Sequence, residues 1–283
     1  MPRIAIVTDS TCDLGPAALA KRNVTMVPLK VHFGDETFLD WTDLKPEDFY
    51  PRLRAAAQLP TTSQPTPGEF ADVFRGLAAE GAEGIVVIVL SKKLSGTYES
   101  AVMAASTAPV PVRVVDTEFV SCGMDFAIEA ACAARDSGGF LDAVEKAAVD
   151  AAAKTELFFV LDTLDYLVKG GRAGRTQGMA AALLNIKPVL QVTGGVIEPY
   201  KKSKGTAKAI REMAEHVAER SRKLGPLKIV VINAVAENLA DELGNAIRSA
   251  GTDIAELSFD SIGAVIGTHV GPRAVGVGYA PAK

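Results

Sequence analysis

The run Ile85–Leu90 is six apolar residues without a polar interruption, bounded by Gly84 and by Ser91-Lys92. Too short to span a membrane and rich in β-branched side chains, it reads as a strand covered on both faces, as a central strand of a parallel sheet is. Its neighbours agree. A helical stretch over about 96–107 and a second apolar strand, Val112–Val115, follow it, and Ile4–Val7 forms a similar strand ahead of a helix opening at Gly15-Pro16. Strand, helix and strand with short links predict an α/β fold with a doubly wound parallel sheet. Around it the pattern predicts a hairpin over 27–39 turning at Gly34-Asp35 and helices over 46–57 and 67–80. The latter has Phe70, Phe74 and Leu77 on one face, and two Ala-rich helices over 121–136 and 140–153 close the unit.

A second α/β unit begins with the strand Leu157–Leu161 and a short helix to Lys169. After the basic glycine turn Lys169–Arg175 comes a hairpin, Val189–Val192 and Val196–Tyr200, around Thr193-Gly194-Gly195. An amphipathic helix over 206–223, the strand Lys228–Asn233, a helix over 238–249 and the strand Ile254–Phe259 follow, with Val275–Tyr279 as an edge strand. Hairpin and crossover together predict a mixed sheet. At 283 residues the chain suits two modest domains. The pattern divides it into 1–155 and 156–283.

Composition removes several function classes. A net charge of −4 with no dense Lys/Arg run gives no footprint for a polyanion, so nucleic acid is not an expected partner, and no helix-turn-helix signature recommends a transcription regulator. No stretch approaches the ~20 apolar residues of a membrane span, and Met-Pro-Arg leads straight into a strand rather than a signal-peptide core. Cys12, Cys122 and Cys132 have no CxxC spacing and read as reduced thiols, which suits the cytoplasm. His32 and His216 read as surface residues, and no histidine pair has metal-ligand spacing, so neither metal nor cofactor is expected.

What remains is a set of hydroxyl-bearing turns. Thr61-Thr62-Ser63-Gln64-Pro65-Thr66 precedes a helix start, where free N–H groups and hydroxyls suit a carboxylate or phosphate. Ser63 or Thr66 serving only as a helix cap is the competing reading. Ser91–Tyr98 leaves the central strand at its carboxyl edge, where open α/β sheets bind ligands. There Ser95 and Thr97 offer hydroxyls and Gly96 leaves the backbone accessible, although Ser95 also reads as a cap. Asp9 and Ser10 end the first strand and face the same crevice. Asp9 as a phosphatase nucleophile is disfavoured because its second acid, Asp13, comes four residues later rather than two, so Asp9 reads as orienting nearby hydroxyls. His269 lies in the glycine-rich turn Ile266–Pro272, where an imidazole can approach a ligand from the second unit. The turn at Gly170–Arg175 lacks both GxGxxG and Walker patterns and, with Lys201, Lys202 and Lys204, forms a basic rim or merely a solvated one.

In order, Val7-Thr8-Asp9-Ser10-Thr11, Thr62-Ser63-Gln64-Pro65, Leu94-Ser95-Gly96-Thr97-Tyr98, Lys169-Gly170-Gly171-Arg172 and His269-Val270-Gly271-Pro272 span nearly the whole chain. Together they resemble the DegV family, the fatty-acid-binding subunits that work with a bacterial fatty acid kinase. The resemblance implies two α/β domains with a long-chain fatty acid between them. Thr62 and Ser95 would bind the carboxylate and His269 would complete the hydrogen-bond network. Arg172, with Lys202, would belong to the surface meeting the kinase catalytic subunit. No catalytic residue is implied, and transient membrane contact is left open. The chain departs from the family at Arg273, where glycine is usual, and around Lys202–Lys204, where arginine is frequent. The rival reading is an enzyme acting on a small carboxylated or phosphorylated metabolite, with Asp9 or His269 as base.

Overall fold

The computed structural model describes residues 3–174, 176 and 187–282; Arg175, the end of the basic turn, lies outside the described residues. From the amino end, β1 (Ile4–Asp9) leads through a 3₁₀ turn at Ser10–Cys12 to α1 (Pro16–Lys21), β2 (Val24–Val27), the hairpin β3 (Lys30–Phe33) and β4 (Glu36–Leu39), and α2 (Pro46–Ala55). Next come β5 (Thr61–Ser63), α3 (Pro67–Ala79), β6 (Gly84–Val89), α4 (Thr97–Ala105), β7 (Val112–Asp116), α5 (Cys122–Asp136) and α6 (Leu141–Ala152). The remainder holds β8 (Glu156–Val160), α7 (Asp165–Lys169), β9 (Val189–Thr193), β10 (Val196–Lys201) and α8 (Thr206–Leu224). It ends with β11 (Leu227–Asn233), α9 (Glu237–Ser249), β12 (Ile254–Ser261), α10 (Ala264–Val270) and β13 (Val275–Pro281).

The first sheet is parallel throughout, in the order β2-β1-β6-β7, and the apolar run sits on β6, flanked on both edges and wholly buried. Strand periodicity divides its side chains between two covers. Val7, Ile85, Val87 and Val89 cluster with Phe70, Phe74, Ala101 and Ala104 of α3 and α4. Ile4, Ile6, Val86 and Ile88 join Ile128, Ala131, Val144 and Ala148 of α5 and α6. A helix cover on each face is what made the run continuous rather than alternating.

The second sheet is mixed, in the order β10-β9-β8-β13-β11-β12, with only β11 and β12 parallel. Phe158, Val160, Val231 and Val277 pack outward on Ile210, Met213 and Leu243 of α8 and α9. Leu157, Phe159, Val230 and Ile232 turn inward and join the cluster that holds the α5 face of the parallel sheet. Helix α5 touches strands of both sheets, β1 and β6 on one side and β8, β11 and β13 on the other. One continuous core therefore spans the two halves. Among the described residues no helix is long and apolar enough to cross a membrane.

Three sequence expectations are corrected. The last strand is not an edge: β13 lies between β8 and β11, antiparallel to both. Its glycines lowered the strand signal, yet they are what lets it sit there, because a Cβ at Gly278 would come within 2.6 Å of Cys122 Sγ on α5. Second, the segment carrying His269 is a helix, α10, and not a turn. Gly267 reads as a helix breaker, but a Cβ there would meet the Phe49 ring of α2 at 2.7 Å, so the glycine serves helix contact. Third, Thr62 lies on the short strand β5, paired opposite Val31 in the three-stranded sheet β4-β3-β5, and not in a loop. Arg273 has φ 64, so a side-chain-bearing residue occupies a left-handed conformation that glycine adopts freely.

Gly278→Ala is expected to lower stability by about 1–3 kcal/mol through overpacking at Cys122, and adding Cys122→Ala should recover most of the loss. Denaturant unfolding of the two single variants and the double variant measures the coupling; additive effects would contradict the close approach.

Candidate ligand cavity between the sheets

In the parallel sheet the winding reverses between β1 and β6, and ligands of such sheets sit outside the carboxyl ends of the strands at that point. A cavity opens there, and together with the open solvent at its mouth it encloses about 840 Å³ of unfilled space. Leu90 and Leu94 from the first half and Leu157, Phe159, Ile232 and Ile266 from the second give it apolar walls. Thr62, Ser63, Gln64, Ser95, Arg172 and His269 supply polar lining.

One contact joins two of these polar residues directly. Thr62 Oγ1 and His269 Nε2 share a hydrogen bond of 2.8 Å, which links β5 to α10 across the two halves. His269 Nδ1 is buried without a partner. The ring lies so close to α7 that a Cβ at Gly170 would be 2.4 Å from Nδ1, so the basic glycine turn provides clearance for the imidazole. Burial, and then the charge of Arg172, push the His269 pKa down to about 4, leaving the ring neutral near pH 7. Arg172 turns inward. Its Nε donates to Leu94 O at 3.2 Å and its Nη1 to Gly170 O at 2.8 Å, so the guanidinium lines the cavity as well as the groove outside it. The sequence places Arg172 on a partner-facing surface; in the structure it is half-buried and faces both the cavity and the groove outside.

The remaining candidates separate by position. Ser95 Oγ and Thr97 Oγ1 hydrogen-bond at 2.9 Å, but only Ser95 is in the cavity wall; Thr97 is buried as the first residue of α4. Gly96 also lies outside the wall, and a Cβ on it would meet Gln64 Nε2 at 2.8 Å, so its role is to let the Gln64 amide lie over the loop. Ser63, which lines the cavity, also bonds His32 Nε2 at 2.8 Å, so His32 is tied to β5 rather than free on the surface. Thr66 is the helix cap: its Oγ1 accepts from Glu69 N while Glu69 Oε2 accepts from Thr66 N. Asp9 and Ser10 do not reach the wall. Asp9 Oδ1 accepts from Thr11 N and Oγ1, its Oδ2 accepts from Leu90 N at 2.8 Å, and Ser10 Oγ accepts from Leu29 N at 3.0 Å. These bonds fasten the ends of β1 and β6 beneath the cavity. Lys202 is exposed on the segment between β10 and α8, away from the cavity wall. His216, read from the sequence as a surface residue, is half-buried against Glu156 and Tyr200. Among the described residues no cluster of three or more His, Cys, Asp or Glu side chains is placed to hold a metal ion.

A model of the uncharacterised-protein DegV family matches residues 3–282 of this chain. The chain belongs to the DegV family. It is 40% identical over 274 residues to a DegV domain-containing protein of Streptomyces coelicolor, covering 97% of each chain. It is 34% identical over 282 residues to a protein of Thermotoga maritima named a fatty acid-binding protein, covering 98% of this chain and 97% of the other. Among solved structures, a DegV family protein from Thermus thermophilus described as binding fatty acid superposes with a TM-score of 0.93 at 32% identity, covering 99% of both chains.

In this DegV protein the helix that carries His269 is held by acids that the sequence reading passed over or assigned elsewhere. Asp13 Oδ1 accepts from Gly263 N at 2.9 Å and its Oδ2 from the Ser121 hydroxyl; Asp40 Oδ1 accepts from Ala264 N at 3.0 Å and Val265 N at 3.4 Å. Both come from the first half and are almost completely buried. Burial pushes Asp13 well above the usual carboxylate range and Asp40 up to about 7, although hydrogen bonds pull the other way, and Asp40 Oδ2 has no partner. No local spacing announces these acids, since their partners at the start of α10 lie more than two hundred residues away.

Asp40 binds its proton more tightly folded than unfolded, so its contribution to stability is greatest at low pH and is lost as pH rises through about 7. Asp40→Asn keeps an acceptor for the Ala264 N–H and cannot ionise. Thermal unfolding of this variant should lose less stability between about pH 5 and about pH 8 than the parent protein does. An unchanged slope would show that Asp40 does not titrate in that window.

Proposed function

We propose that this chain is a non-catalytic cytoplasmic carrier that buries a long-chain fatty acid and presents its carboxylate to the catalytic subunit of a fatty acid kinase for acyl phosphate formation. The observation that carries the reading is the union of an apolar cavity with a rim where Thr62 bonds a neutral His269. A neutral imidazole has one N–H. With that proton on Nε2, His269 donates to Thr62 Oγ1 and frees the Thr62 hydroxyl hydrogen to point at a carboxylate. Ser95 is a second hydroxyl donor, and the Arg172 guanidinium keeps N–H groups beyond the two given to Leu94 O and Gly170 O. Hydroxyls hold a carboxylate without taking up its charge, which leaves an oxygen nucleophilic toward a phosphoryl donor brought by a partner. The tail supplies the affinity: at ~0.8 kcal/mol per buried CH₂, a chain of about sixteen carbons offers on the order of 10 kcal/mol before ordering costs. The Thermus and Thermotoga relatives, described as binding fatty acid, support the ligand class. The exposed Lys202 then belongs to the surface offered to the kinase.

Denaturing extraction and mass spectrometry of the purified protein should recover about one long-chain fatty acid per chain. A lipid-free protein that converts a small carboxylated metabolite unaided would overturn the carrier. Thr62→Ala and Ser95→Ala should each weaken fatty acid binding by about tenfold, since each removes a hydrogen bond to a charged group, while leaving the fold intact. Arg172→Ala should also reduce retained lipid, because its side chain lines the cavity. Full lipid content with lost acyl phosphate formation in that variant would return Arg172 to the partner surface.

A further inference from the structure

We infer that the hairpin turn Gly194-Gly195 and Ser91 form a clasp that positions Ser95 for the ligand head group, so that Ser91 is a positioning residue for binding. The inference rests on the fatty-acid reading above. Ser91 is fully buried between the end of β6 and the tip of the β9–β10 hairpin. Its hydroxyl donates to Gly195 O at 2.7 Å and accepts from Lys93 N at 3.2 Å, while its carbonyl accepts from Leu94 N at 3.0 Å and Ser95 N at 3.2 Å. The residue thus defines the turn that ends on Ser95 and fastens that turn to the other half of the molecule. Lys93 Nζ adds a second bond, to Gly194 O at 2.7 Å.

The hairpin side is built for this approach. Gly194 and Gly195 have φ 54 and φ 79, which side-chain-bearing residues rarely adopt, and a Cβ at Gly195 would stand 2.7 Å from Ser91 Oγ. Two residues beyond the turn, Ile197 of β10 lines the cavity, so the strand that walls the cavity is also the one that holds the Ser95 loop. On the opposite side Arg172 donates to Leu94 O, the residue before Ser95. The loop is therefore gripped from the second half at Ser91, Lys93 and Leu94. The Ser91 N–H is bonded separately, to Phe119 O, and among the described residues the hydroxyl is engaged only by the contacts to Gly195 and Lys93.

The test compares binding of stearate and of its methyl ester, which fills the same apolar space without a carboxylate. Ser91→Ala and Gly195→Ala should each weaken stearate binding by about fivefold and methyl stearate binding by less than about twofold, because a misplaced Ser95 costs a bond to a charged acceptor. The double variant should be no worse than the weaker single one, since both changes undo one contact. Lys93→Met, at an exposed side chain, should shift stearate binding in the same direction by a smaller factor and guards against a folding defect in the buried variants. Equal losses for acid and ester, or no loss in any variant, with the parent protein binding stearate normally, would overturn the clasp. A parent protein that does not bind stearate would instead overturn the fatty-acid reading on which it rests.

Discussion

The first amide groups of a helix have no partner within the helix, and in α10 they are met by carboxyl groups from the other half of the chain, Asp13 on Gly263 and Asp40 on Ala264 and Val265. Much of the molecule depends on that meeting. It brings the last short helix into the first half, against α2, β3 and β5, and so sets the height at which His269 reaches Thr62. The arrangement is expensive in solvation, as the raised pKa values of both acids record. A buried carboxylate left without these N–H groups would be worse, because its desolvation would go uncompensated. The pairing therefore favours one docking of the halves over others.

That docking explains why a cavity exists between two well-packed sheets. Helix α5 fills the space between them along one flank, with Ala127 and Ala131 in the shared core, and the cavity opens beyond its amino end, beside Val120 and Ser121. There the ends of β1 and β6 face the inner surface of the mixed sheet, and the opening is rimmed by Thr62, Ser95, Arg172 and His269. Under the proposed function, the electrostatics of the rim suit a single anion. A cation is present in Arg172, while His269 is kept neutral by the same burial and by that cation, so the site has donors without an excess of positive charge.

Part of this was legible in the sequence and part was not, for reasons visible at single residues. Thr62 stood out because its hydroxyl precedes a helix start, and Ser95 because it follows the central strand at its carboxyl edge, where the winding of a parallel sheet opens a crevice. Asp9 stood out for the same reason as Ser95 but is consumed holding β1 to β6, since its two oxygens accept from Thr11 and Leu90. Thr66 proved a cap and Thr62 a cavity residue although they share one motif, a division that depends on which face of β5 meets α10. Gln64, Gly170 and Ser91 gave little signal as functional residues, because each matters through what approaches it in space and not through its own chemistry.

The sequence by itself determined the kinds of layer: a continuous apolar run on β6 that demands cover on both faces, alternating elements that demand a parallel sheet, and a glycine hairpin followed by a crossover that demands a mixed one. Periodicity is a local property, so it survives without knowledge of the fold. Tertiary structure decided the order of the strands and the site itself. β13 became central because Gly278 could pass Cys122, and α10 became a helix because Asp13 and Asp40 met its amides. Those contacts join residues that no local pattern relates, and only packing brings them within bonding distance.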